Sequence, residues 1–267
     1  MLRSVLEVLF PRRCVACGSA DWPFCERCLP SVGTFSEPWC ERCGRPLEAL
    51  APACGDCPPG PVSWARSAFL YEGAVRRAVM RMKFGGARLI AEALAGPMAV
   101  LLEPSLRAPP RLERSGPVIT WVPLAPRRRR SRGYDQGELL ARHVARCLGL
   151  PVGALLRRTR ETAPQARRDR AARRTAMLGA FAAVEAPPAH VVLIDDVLTT
   201  GATAAGCAHA LVGAGAQEVG VLTAARSIGG PVPARCYTPA LGPDLGLWLP
   251  GRPSSGSRCQ SQAKRPT

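Results

Sequence analysis

The sequence predicts an α/β fold, a parallel sheet flanked by helices, joined to a cysteine-rich zinc ribbon module at the N-terminus. Three observations predict it. Short, unbroken apolar runs alternate with segments of helical periodicity, the order that yields a parallel sheet with crossover helices. One run, Val191-Val192-Leu193-Ile194, ends in two aspartates and a Thr/Gly-rich loop that opens an alanine-rich helix. Eight of the twelve cysteines fall within the first 57 residues as four Cys-x-x-Cys pairs.

Length and composition set the frame. A chain of 267 residues with 47% hydrophobic content can bury one ordinary core and still carry a small appendage. Met1 to Phe10 is too short for a membrane span or leader and is broken by Arg3 and Glu7, so a cytoplasmic protein without membrane insertion is expected. The formal charge of +16, from 36 basic and 20 acidic residues, favours phosphate-bearing partners. Solvated helix faces give the same balance, so the clustering of arginines has to decide.

The cysteines come first along the chain. Pairs at Cys14/Cys17, Cys25/Cys28, Cys40/Cys43 and Cys54/Cys57 supply eight thiolates, enough for two tetrahedral sites, and the spacers hold too few branched apolar residues to build a core without metal. The expectation is structural Zn²⁺, one or two ions, in a double ribbon over 1–60. A redox dithiol would need a pair at a helix start, and an iron–sulfur cluster is the other alternative. Consecutive grouping joins Cys14, Cys17, Cys25 and Cys28, then Cys40, Cys43, Cys54 and Cys57; cross-bracing would interleave them. Cys147, Cys207, Cys236 and Cys259 have no partner at ligand spacing and read as apolar fillers or tail residues, and His143, His190 and His209 read as structural.

A second domain spans 61–226. Ala68 to Tyr71 reads as a strand, and Val75, Ala78, Val79 and Met82 repeat at helical spacing before Lys83-Phe84-Gly85-Gly86. A helix over Leu89 to Leu102, a proline-rich loop from Pro104 to Pro117 and a buried strand over Val118 to Val122 follow. Pro123 to Gly133 reads as a basic loop. Leu140, Val144, Cys147 and Leu148 then mark one helix face, ended by Gly149 and Pro151. The strand at Val191, a helix to about Gly213 and a strand over Val219 to Thr223 complete the domain. Residues 227–267 turn to Gly, Pro and Ser and have the composition of a disordered tail.

The segment Val191 to Thr203 carries the chemistry. A buried parallel strand delivers two carboxylates to the end of the sheet where such folds place ligands. Adjacent carboxylates suit two neighbouring hydroxyls, as on a ribose, and the loop from Thr199 to Thr203 offers N–H groups, hydroxyls and a helix dipole to an anion. A P-loop would need Lys after its glycines and a dinucleotide site would need Gly-x-Gly-x-x-Gly; neither pattern is present. The string of two apolar positions, two acids and Thr-Thr-Gly-x-Thr resembles the signature of type I phosphoribosyltransferases for phosphoribosyl pyrophosphate (PRPP). That resemblance implies that Asp195 and Asp196 are the catalytic pair on the ribose hydroxyls. It also implies that Val197, Thr199, Thr200, Gly201, Ala202 and Thr203 complete the PRPP site, with the 5′-phosphate on Thr199 to Thr203.

Other segments narrow the resemblance. Val122-Pro123-Leu124-Ala125-Pro126-Arg127-Arg128, Arg132-Gly133-Tyr134-Asp135-Gln136, Thr162-Ala163-Pro164-Gln165 and Leu9-Phe10-Pro11 before Cys14 resemble the ComF family, competence-associated phosphoribosyltransferase-like proteins, over residues 1 to about 226. The resemblance implies a type I phosphoribosyltransferase fold and displacement of pyrophosphate from the anomeric carbon by a nucleophilic nitrogen. It further implies Mg²⁺ with PRPP, and Lys83 and Arg132 neutralising the leaving group ahead of Arg127 and Arg128. Two positions depart from the family, which usually has Asn where Asp135 stands and Asn near Ala176. Asp135 is expected to add negative charge near the diphosphate and, unless Mg²⁺ or an arginine such as Arg132 offsets it, to weaken PRPP binding.

Two functions compete on these residues. One is an enzyme that transfers phosphoribose to an acceptor the sequence does not name. The other is a single-stranded-DNA-associated competence factor in which PRPP binding is regulatory or vestigial, motivated by eight arginines between 157 and 174 against Glu161 and Asp169. Scarce aromatics there restrict such contact to electrostatic, sequence-independent binding. The family resemblance adds a competence helicase as a partner. A PRPP-sensing regulator is a third class, unsupported by any helix-turn-helix segment.

Overall fold

The computed structural model describes residues 12–84, 88–107, 116–160, 179–230, 232 and 237–239. Its centre is a four-stranded parallel sheet formed by β2 (Trp64–Leu70), β3 (Val118–Trp121), β6 (His190–Leu198) and β7 (Glu218–Arg226) in the order β2-β7-β6-β3. The two inner strands are nearly continuous apolar runs because both of their faces are covered: β7 is buried from Val219 through Arg226. Register is set along β6, where Val191 pairs with both Val118 and Val219 and Leu198 pairs with Arg226.

Strand alternation sorts the layers. Val192 and Ile194 of β6 enter one cluster with α1 (Gly73–Phe84), α2 (Arg88–Arg107) and α4 (Gln136–Leu148). Val191 and Leu193 enter the opposite cluster with α5 (Ala202–Gly213) and an antiparallel pair, β4 (Leu156–Arg158) with β5 (Phe181–Ala183). The cysteine module divides in the same way. Cys14, Cys25 and Cys28 belong to the first cluster, Cys40 and Cys43 to the second.

Several expectations shift. The β6 strand runs on to Leu198, so Asp195 and Asp196 lie inside it rather than at its end. The expected basic loop holds a short helix, α3 (Pro126–Arg132): Pro126 fits the first turn, and Gly133, at φ 74°, closes it by donating to the Arg129 carbonyl. The stretch 227–267, expected as a structureless tail, contains β8 (Tyr237–Pro239), whose main chain pairs antiparallel with β1 (Gly33–Phe35). A three-residue edge pairing leaves no periodicity for composition to reveal. Residues 161–178, which hold most of the arginine cluster, Thr162 to Gln165 and Ala176, lie outside the described residues, as do Gly85 and Gly86. Among the described residues, no helix is long and apolar enough to cross a membrane.

Candidate functional site

Alternation along β6 sends its two acids to opposite faces. Asp196, 5% exposed, faces the α1 and α4 layer, where its Oδ1 lies 2.9 Å from Lys83 Nζ and its Oδ2 accepts from Gln136 Nε2 at 3.2 Å. Lys83 stands in the last turn of α1 and Gln136 in the first turn of α4, so both helices aim an end at one carboxylate. Asp195 is half-buried, and its Oδ1 accepts from the Asp196 main-chain N–H at 2.8 Å. Burial pushes the Asp195 carboxyl up to about 7, with the Asp196 charge adding to it and the Asp196 amide and Lys83 opposing.

The loop after β6 turns at Gly201, φ 72°, and α5 begins at Ala202. A β-carbon at Gly201 would lie 2.7 Å from Cβ of Pro58, so glycine is required by both the left-handed backbone and the close approach. Thr199 is exposed, and the Thr200 hydroxyl accepts from the Ala202 amide at 3.4 Å. The positive end of the α5 dipole lies at this loop, four residues after β6 ends.

Arg132 reaches the same region from α3. Its guanidinium stacks on the Phe84 ring at 5.1 Å, and burial lowers its pKa while the Asp196 charge raises it. The Tyr134 hydroxyl donates to the Met82 carbonyl, which ties the Arg-Gly-Tyr turn to the end of α1 beside Lys83. Arg127, Arg128, Arg129 and Arg130 are exposed, and Arg129 lies 3.8 Å from Glu138. The structure thus brings Lys83, Asp195, Asp196, Arg132 and the Thr199 to Thr203 loop to one end of the sheet, and leaves Arg127 and Arg128 at the surface.

Asp135 has a backbone role beside its charge, which acts on Asp195 and Arg132. It is the N-cap of α4: Oδ1 accepts from the Gly137 and Glu138 amides at 2.9 and 3.3 Å, and Oδ2 accepts from Leu124 N–H at 2.9 Å. A carboxylate at a helix N-terminus is favourable, which accounts for an acid at this position. Desolvation still raises its pKa against those three amides.

The cysteines form two tetrads, Cys14, Cys17, Cys25, Cys28 and Cys40, Cys43, Cys54, Cys57, each with its sulfurs within 4.8 Å of one another. Consecutive grouping, not interleaving, is what the structure has. Sulfur separations of 3.6 Å (Cys17–Cys25, Cys40–Cys57, Cys43–Cys54) match the edge of about 3.8 Å that follows from Zn–S bonds of about 2.3 Å in a tetrahedron. The donor set therefore fits structural zinc. Cys207 is fully buried, in keeping with an apolar filler.

Sequence reasoning missed Gln136, Pro58 and Arg226. Arg226 ends β7 and is 2% exposed, yet it donates to the Cys43 carbonyl at 2.7 Å and the Asp56 carbonyl at 3.3 Å, with Nη2 3.5 Å from Cys43 Sγ. An arginine closing a buried apolar strand is the one signal that could have marked it, since a fully buried charge needs partners.

A family model described as a double zinc ribbon domain matches residues 5–58. Competence protein F of Haemophilus influenzae is 29% identical over 229 residues, covering 82% of this chain and 98% of that protein. DNA utilization protein YhgH of Salmonella typhi is 33% identical over 217 residues, covering 78% and 92%. YhgH of Escherichia coli K12 is 31% identical over 219 residues with the same coverage. Among solved structures, an allosteric regulatory enzyme of purine biosynthesis aligns with a TM-score of 0.34 at 23% identity, over 53% of this chain and 27% of that one. Glutamine PRPP amidotransferase from B. subtilis aligns at 0.33, 23%, 53% and 27%. This chain spans about a quarter of the length of each of those two chains.

Proposed function

We propose, from the premise that this chain belongs to the family of competence protein F and the DNA utilization protein YhgH, that the end of its sheet binds PRPP with Mg²⁺ and transfers phosphoribose to a nitrogen acceptor. One observation carries the reading: Lys83 and Gln136 close on the Asp196 carboxylate near the C-terminal end of β6, from which the loop opening α5 follows. Residues 1–60 then serve as the ribbon module and 61–226 as the ligand-binding domain.

The residues divide the ligand between them. The Thr199 to Thr203 loop takes the 5′-phosphate through amides and hydroxyls, and Val197 and Ala202 complete the loop wall. Asp195 and Asp196 take the ribose hydroxyls. When a hydroxyl claims Asp196, Lys83 is released from its 2.9 Å ion pair toward the diphosphate, where Arg132 adds a second cation. Mg²⁺ would enter on the diphosphate oxygens and withdraw charge from the leaving group. The bond from the anomeric carbon to the diphosphate oxygen breaks with its electron pair leaving on pyrophosphate. The acceptor nitrogen forms the new bond with its lone pair and sheds its proton to solvent or buffer.

Calorimetric titration with PRPP, with and without Mg²⁺, tests the binding step, and pyrophosphate release across candidate acceptors tests the transfer. Asp196→Ala should weaken PRPP by about tenfold to a hundredfold, the worth of one or two charge-assisted hydrogen bonds. Equal affinity in wild type and Asp196→Ala would remove the proposal.

A second reading draws on the exposed arginines of α3 and on the relatives' names, which speak of competence and DNA utilization. In it the protein tracks a single-stranded backbone, and PRPP acts as a regulator or a relic. Affinity for an oligonucleotide that falls steeply with salt would support it, and a flat salt response would end it.

A further inference from the structure

The second cysteine tetrad is wired to the Thr199 to Thr203 loop by three separate contacts. Pro58, which directly follows the ligand Cys57, is buried against the apex of the loop at Gly201. Arg226 spans from β7 to the Cys43 and Asp56 carbonyls. In the sheet, Arg226 is in register with Leu198, the residue before Thr199, and Ser227 N–H donates to the Leu198 carbonyl at 2.9 Å. Finally, His209 of α5 lies so close to Gly60 that a β-carbon there would sit 2.6 Å from its Nε2. Cys40 and Cys43 share one buried cluster with Leu198, Ala204, Cys207 and Ala208, the residues that flank the loop and line the start of α5.

Such contacts fix geometry rather than charge. A buried arginine with carbonyl partners holds both ends of its span, because losing either end would strand buried polar groups without partners. A proline ring against a left-handed glycine leaves that loop one direction in which to move, away from the ribbon. The tetrad is therefore the wall against which the loop is formed.

We propose that Pro58 and Arg226 are positioning residues through which the second ribbon, when metal-loaded, sets the Thr199 to Thr203 loop to grip a phosphate, and that the diphosphate end of the site does not depend on this ribbon. The proposal rests on the reading of that loop as the 5′-phosphate site. It divides the ligand into halves that can be measured apart.

The experiment titrates the full-length, zinc-loaded protein with ribose 5-phosphate and, separately, with inorganic pyrophosphate and Mg²⁺. Arg226→Met should retain its zinc, lose about tenfold in ribose 5-phosphate affinity, equivalent to about 1.4 kcal/mol, and bind pyrophosphate as wild type does. Arg226→Lys should recover part of that loss. Pro58→Ala, which removes the ring but keeps the chain, should lose about threefold for the same ligand, and it stands in if Arg226→Met does not fold. By reciprocity of linkage, ribose 5-phosphate should raise the chelator concentration needed at equilibrium to remove one of the two zinc equivalents. Equal losses for both ligands, or none in either variant, overturn the proposal. If wild type binds pyrophosphate but not ribose 5-phosphate, or neither, the phosphate-site reading itself falls and this inference with it.

Discussion

The two ribbons use the same four-thiolate chemistry on opposite faces of one sheet. The first packs on α1, where Arg81 donates to the Cys14 and Val15 carbonyls at 2.9 and 3.1 Å and Arg77 lies 3.6 Å from Cys28 Sγ. The second packs on α5 and the end of β7 through Pro58 and Arg226. Since α1 carries Lys83 in its last turn and α5 begins at the Thr/Gly loop, each ribbon braces one side of the same site. A doubled module here is a division of support, not a redundant one.

The largest effect should come from removing one metal at a time. Cys14→Ser and Cys43→Ser should each leave about one zinc per chain by metal analysis, with several kcal/mol of stability lost in denaturant melts. If the ribbons were interchangeable the two variants would bind ligand halves alike; the expectation is that Cys14→Ser impairs pyrophosphate and Cys43→Ser impairs ribose 5-phosphate. Metal loss also has an order. Cys17 is exposed whereas Cys40 and Cys43 are 0% and 1% exposed, so a chelator should empty the first ribbon before the second, read as two phases of zinc release.

A smaller effect comes from the first ribbon's arginines. Arg81→Ala removes two carbonyl contacts from the brace on α1 and should cost about 1–2 kcal/mol in thermal or chemical melts, with pyrophosphate affinity falling about threefold and ribose 5-phosphate unchanged.

The pH dependence compares the two acids. Asp195 holds its proton up to about 7 in the folded protein but only to about 4 when unfolded, so the folded state carries the extra proton between those values. Stability should therefore be greatest below about 4 on this account, decline as pH rises from about 4 to 7, and level off above. Asp195→Asn should flatten that slope in melts at pH 5, 6 and 7.5. Ribose 5-phosphate affinity, which needs the ionised carboxylate to accept a hydroxyl, should rise over the same window. At the helix cap, Asp135→Asn keeps an acceptor for the Gly137 and Glu138 amides but sets an NH2 against the Leu124 N–H, and should cost about 1 kcal/mol in melts, less than Asp135→Ala, which leaves all three amides without an acceptor and should cost about 2 kcal/mol.

What was legible in the sequence is what is contiguous. The β6 strand, its acids and the loop into α5 lie in one continuous stretch, His190 to Thr203, and the cysteine pairs announce themselves by spacing. Lys83 was a candidate because the resemblance calls for cations on the leaving group and it stands just beyond a clear helical repeat. Gln136, Pro58 and Arg226 were not, because each acts on a group distant in the chain and brought near by the β2-β7-β6-β3 order. Asp135 was within reach: Asp followed three residues later by Glu138 is a helix-start signature, and reading it so would have placed the acid on the backbone rather than against the ligand. Polarity hid α3, since a run of arginines carries no apolar stripe.

The ladder between Gly33–Phe35 and Tyr237–Pro239 has a consequence for biosynthesis. The spacer between the ribbons leaves the ribosome about 200 residues before its described strand partner. Until then that edge offers its amides and carbonyls to any neighbouring chain. Translation arrest before Tyr237, or a bulky carboxy-terminal fusion close behind Pro239, should thus show up as self-association of nascent or tagged protein.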